Sequence, residues 1–208
     1  MDVAGQLRRS IDAVRRRRNL IVFFALAHVA FFIFGQWVIA NGIPAAVELR
    51  EQALGELKDV GYLKPLTGFL GGSIPLQIFY TFAFNLIVGA FFTTTATGLV
   101  FFMPYLLAVW RGFIVGMLTY GLVDSSGAAV AFYGTFILEF GAYCLTSAVG
   151  TDIGLTLVWP GRKRCATRKE AMREAMRDGA DIYFLAIILL FIAAIWEIGS
   201  LYIVGPLI

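Results

Sequence analysis

Metal-ligating and thiol side chains are scarce in this sequence: 208 residues carry two cysteines and a single histidine. Cys144 falls inside a long apolar run and Cys165 in a basic loop, so the two are not expected to pair. No CxxC and no Cys/His cluster is present to hold a metal, and no Ser-His-Asp set suggests itself. No enzyme activity and no cofactor is therefore expected. Charge is scarce too, with only 15% Asp, Glu, Lys and Arg, which argues against an ordinary water-soluble domain.

Apolar length is what the sequence has in quantity. Hydrophobic residues make up 59% of the chain and the mean hydropathy is +0.79. About twenty apolar residues cross the roughly 30 Å of bilayer hydrocarbon. Runs of that length lie at about 20–40, 74–93, 98–123, 128–149 and 182–204. Alternation of the barrel-strand kind is missing, and open sheet edges leave backbone groups unpaired in lipid. The expected fold is all-α: one polytopic helical membrane domain over 1–208, with about five transmembrane helices.

Basic residues set the expected orientation. Arg8, Arg9 and Arg15 to Arg18 precede the first run, and Arg162, Lys163, Arg164, Arg168, Lys169, Arg173 and Arg177 lie between the last two, making 13 of the 17 Lys and Arg. The positive-inside bias places the N-terminus in the cytoplasm and the C-terminus outside, in a multi-pass protein of the cell membrane. The first run, rich in Phe and too long for an ordinary signal sequence, reads as a retained anchor. Both basic clusters then face the anionic inner leaflet, so the net charge of +3 calls for no nucleic acid.

Two segments outside the spans carry helical periodicity. In the outer loop 41–73, Ala46, Leu49, Ala53, Leu57 and Val60 recur at helical spacing over Ala45 to Val60, predicting an outer amphipathic helix that covers the spans or docks a partner. In the cytoplasmic loop 158–181, Thr167 and Glu170 form a capping-box signature, and Gly179 is expected to end the helix that follows. Its alternating charges read as a solvated face or a partner surface.

The intramembrane polar residues are the candidate site. Arg111, Glu139 and Glu197 each cost about 2.5–3.5 kcal/mol to insert at a helix centre unless they find a partner or water. Spans three and four are joined by a short loop, and Arg111 and Glu139 lie about 18 Å below it on either side at 1.5 Å per residue. An Arg111–Glu139 pair is therefore expected, with Glu197 left as surplus charge and Asn85 as a further polar group. His28 reads as a packed histidine bonded to a neighbouring helix. Gly112 with Gly116, and Gly150 with Gly154, are GxxxG pairs that let helix backbones approach closely; a homodimer is one use of them. Pro104 is expected to kink the third span, and the glycines of the fourth leave open whether it is straight or broken.

From about Phe84 to Ile203 the chain resembles the stage II sporulation protein M-like integral membrane family. Asn85 on the second span, "RGFIVG" from Arg111, "EFGAYCLTSAVGTDIG" from Glu139 and "AAIWE" up to Glu197 carry the likeness. It departs at Thr135-Phe136, where the family has His-Gly, and at Arg111, where the family has Asn. The resemblance implies a non-enzymatic membrane scaffold or accessory subunit with a cell-envelope protein as partner. A channel or transporter using the polar layer is the alternative.

Overall fold

Helix begins well before the first apolar run. In the computed structural model, which describes residues 2–57, 72–123 and 125–204, helix α1 (Val3–Ala40) takes in the whole basic segment as well as the run behind it. Asp2 caps its start, accepting a hydrogen bond from the Gly5 amide at 3.0 Å. Gly42, at φ +62°, supplies the left-handed turn that ends it. Helix α2 (Pro44–Leu57) follows, over most of the stretch read as an amphipathic helix; the remainder of that prediction, 58–60, lies outside the described residues. Ala46 of α2 packs on Val38, Ile39 and Met117, and Arg50 donates to the Tyr120 carbonyl oxygen at 2.6 Å. These contacts hold α2 across the ends of two apolar helices.

The second apolar run changes its winding partway. It is α-helical over α3 (Ile74–Phe84), π-helical over Asn85–Thr95 and 3-10 over Ala96–Leu99. Threonines accompany the change: Thr93 donates to Val88 O at 2.6 Å, five residues back, and Thr94 to Ala90 O at 2.5 Å. Hydroxyls that bond carbonyls in this way compete with the regular ladder and loosen it.

The next helix is shorter than expected. α4 (Met103–Thr119) has 17 residues against the run of 98–123, because the chain turns at Val100–Phe102 and again at Tyr120–Gly121. Pro104 therefore sits in the first turn of α4, where its missing amide hydrogen costs nothing, and does not kink the helix. α5 (Ser126–Val158) runs unbroken through its glycines, which settles the fourth segment as one helix. α6 (Arg168–Val204) corrects a second expectation: Gly179 does not end a helix but lies inside this one. A Cβ there would come 2.9 Å from Val149 Cγ1, so the glycine serves close packing of α6 on α5. The capping box at the start of α6 is formed as expected, Thr167 Oγ1 accepting from the Glu170 amide and Glu170 from that of Thr167, both at 3.2 Å.

Among the described residues four helical runs, Val3–Ala40, Ile74–Leu99, Ser126–Val158 and Arg168–Ile203, are long and apolar enough to cross a membrane, and α4 is a shorter apolar helix. The chain is thus an all-helical protein of the membrane-protein kind. α5 pairs with α6, and α1 with α4; the buried centre between them is made largely of small residues, with Ala142, Ala148, Ala186, Ala193 and Ala194 fully buried. Small side chains let backbones close in where hydrophobic burial gives no drive between helices in lipid.

Candidate functional site

Both glycine pairs face helices of the same chain. A Cβ on Gly112 would lie 2.6 Å from the His28 carbonyl oxygen, and one on Gly116 would collide with that of Phe32, so this pair seats α4 on α1. Gly150 would meet Thr94 O at 2.5 Å, and Gly154 would collide with Gly98, so the second pair seats α5 on the π and 3-10 turns. The faces that suggested a homodimer are filled from within.

That seating carries Asn85 and Glu139 together. Asn85 Nδ2 donates to Glu139 Oε1 at 2.5 Å. On the other side Glu197, from α6, hydrogen-bonds the Glu139 carboxyl. A hydrogen bond between two carboxyl groups needs a proton between their oxygens, so the surplus acid of the sequence is joined to the layer through Glu139.

Arg111 takes a different partner from the one expected. No ion pair within 4 Å links it to Glu139 among the described residues; its guanidinium carbon sits over the Tyr143 ring, 3.9 Å from the centroid. Tyr143 is one helical turn beyond Glu139 on α5, so the cation is still held beside the carboxyl and its charge is felt there. Tyr143 in turn packs against Gly89, where a Cβ would come 2.7 Å from its hydroxyl. The layer thus brings two carboxyl groups, an amide and a guanidinium together. The π segment adds a polar flank below it: Thr94 donates to Thr146 Oγ1 at 2.7 Å, and Thr95 Oγ1 lies 2.6 Å from the Tyr183 hydroxyl.

His28 is buried, as expected of a packed histidine, and its Nδ1 contacts both its own helix and, at 3.7 Å, Cys144 Sγ on the neighbouring α5. Nδ1 lies 2.8 Å from the Phe24 carbonyl oxygen and must donate, since a carbonyl only accepts. Cys144 and Cys165 are both free.

A second polar cluster, at the other end of the bundle, was not anticipated. Asp152, near the end of α5 and only 2% exposed, is approached by Arg17 Nε at 2.9 Å, Lys163 Nζ at 2.6 Å and Arg162. Asp178, also buried, takes Arg16 Nη2 at 2.6 Å and Arg17 Nη2 at 2.7 Å. The Arg17 contacts are close but too bent for hydrogen bonds, so they are Coulombic. Hydrogen bonding to Asp178 raises the pKa of Arg16 above the ordinary guanidinium value, which keeps it charged at any physiological pH. Asp181 adds a tie to α1, accepting from Gln6 Nε2 at 3.0 Å. The available signal was Asp152 itself, a lone carboxylate in the apolar stretch "SAVGTDIG".

The family model described as Stage II sporulation protein M matches residues 20–198, and the chain belongs to that family. The match takes in the first apolar run, which the likeness by motif did not. No curated protein and no solved structure matches the chain.

Proposed function

We propose that this member of the Stage II sporulation protein M family is a five-span protein of the cell membrane, with its N-terminus in the cytoplasm and its C-terminus outside, that serves as a non-enzymatic scaffold or accessory subunit. The observation that carries the reading is that the midplane polar residues are consumed by one another. Glu139 is held by Asn85 and Glu197, and Arg111 lies on Tyr143. Such a layer fixes the register of helices and leaves no charged group spare to attract a solute. Counted as a span, α4 at 1.5 Å per residue covers only about 26 Å, so it relies on a thinned bilayer or on the cover that α2 gives its outer end.

The outward surface is where a scaffold would work. The outer ends of α5 and α6 form an apolar groove of about 610 Å³ lined by Val130, Ala131, Ile192, Ile195, Trp196 and Ile203, among others. A photo-cross-linking residue placed in turn at Val130, Ile195 and, on α1, Leu26 distinguishes a partner from bulk lipid. The scaffold reading expects a discrete protein adduct from one of these faces; lipid adducts alone at all three would sink it. Topology has its own test. Cys165 is expected to react with an impermeant maleimide only after the inner face is opened, and ready labelling from outside would reverse the orientation.

A channel or transporter is the second reading, and one observation favours it. Long π-helical segments are rare and recur at functional sites, and this one begins at Asn85, in the polar layer. Its requirement is a flux that Glu197→Gln alters in a protein that stays folded.

A further inference from the structure

The inner charge cluster does more than tie three helices together. Beside it lies a pocket of about 270 Å³ whose walls are Arg16, Arg17, Asn19, Leu20, Asp152, Arg162 and Lys163. The four cations there meet three carboxylates, Asp152 at the pocket with Asp178 and Glu174 behind it. Structural ion pairing therefore leaves one positive charge in excess at the pocket. Arg16 and Arg162 carry it toward solvent, with side chains 44% and 39% exposed, while Arg17 and Lys163 are anchored.

Position says what the charge is for. Leu20 opens the first apolar run, and beyond it on α1 the exposed side chains are Val22, Phe23 and Leu26. The pocket thus joins a cationic cup to an apolar strip at the level where headgroups meet hydrocarbon. We propose that it binds the phosphate of one anionic phospholipid, with the acyl chains lying along Phe23 and Leu26. Arg16 and Arg162 donate to the phosphate oxygens, the Asn19 amide offers a further donor beside them, and Arg17 with Lys163 supplies field. The space equals about nine water volumes, room for a phosphate and its glycerol. A basic pocket between helices at the inner face is a recognised setting for anionic headgroups. This assignment rests on the reading above that the bilayer's inner edge lies near Leu20, which the Cys165 labelling tests separately from lipid binding.

The experiment is native mass spectrometry of the full chain in neutral detergent, offered short-chain phosphatidylglycerol, phosphatidylcholine or inorganic phosphate. One phosphatidylglycerol is expected to be retained at least about fivefold more than phosphatidylcholine. Arg16→Gln and Arg162→Gln each weaken that retention about fivefold, as expected for one basic group at a membrane surface. Arg168→Gln, an equal loss of charge at an exposed position outside the pocket, leaves it unchanged. Unfolding temperatures near wild type qualify each variant, and Arg162→Gln stands in should Arg16→Gln fail to fold. Equal retention of the two lipids overturns the proposal. So does a like loss in all three variants, which would mean general attraction, or displacement of the lipid by equimolar inorganic phosphate, which would mean a free-anion site.

Discussion

The bundle handles charge in two ways, and the two regions set each other off. At the midplane, Glu139 and Glu197 are joined by a hydrogen bond, Asn85 donates to one of them, and Arg111 rests on an aromatic face with no ion pair among the described residues. At the end of the bundle that carries the start of α6, Asp152 and Asp178 are gripped by several cations each. The contrast follows from what each depth supplies. At the end of the bundle, basic side chains are abundant and the tips of Arg16 and Arg162 reach water, so several cations are tolerated; deep in the bundle, a ring face holds the guanidinium with less desolvation than a second ion.

The largest predicted effect lies at the Asp152 cluster. Asp152→Asn leaves Arg17, Arg162 and Lys163 facing one another around a neutral amide, and is expected to cost about 3–5 kcal/mol of stability in detergent. A loss under 1 kcal/mol would show that the cations simply swing to water. At the midplane Glu139→Gln should cost less, about 1–3 kcal/mol, because Arg111 keeps its ring. Pairing it with Arg111→Met should recover part of that loss, since the cation and the carboxyl cancel one another across Tyr143. Strict additivity in the double-mutant cycle would mean that they do not communicate. Gly150→Ala tests packing apart from charge: its methyl enters the Thr94 and Thr95 backbone, for an expected 1–3 kcal/mol, about the cost of overpacking. Glu197→Gln is the mildest, within about 1 kcal/mol, because the amide N–H can replace the proton in donating to Glu139. A large loss there would show that Glu197 bears charge the protein needs.

How much of this was readable in advance depended on the range of the interaction. Apolar length announced the helices, and the positions of Asn85, Arg111, Glu139 and Glu197 announced a polar layer, because hydropathy and the rarity of intramembrane charge are local signals. The partner of Arg111 was not readable. Depth alone allowed Glu139, while the choice of Tyr143 depends on side-chain reach and on the space Gly89 leaves for the ring. Gly179 misled for a similar reason: a glycine that ends a helix and one that lets two helices touch look the same until the neighbour, Val149, is known. The Asp152–Asp178 cluster was least visible. Its acids, Asp152 and Asp178, meet arginines more than 130 residues earlier in the chain, and the basic run of α1 looked like a membrane-facing tail when much of it is a structural clamp.

The central claim is that the midplane layer is closed upon itself and serves packing, not passage. Its most direct test is proton and potassium flux into proteoliposomes holding the full chain, read with entrapped dyes. The account predicts flux no greater than in protein-free vesicles, for the wild type and for Glu197→Gln alike. Flux carried by the wild type and abolished in folded Glu197→Gln would contradict it and make Glu139 and Glu197 part of a route.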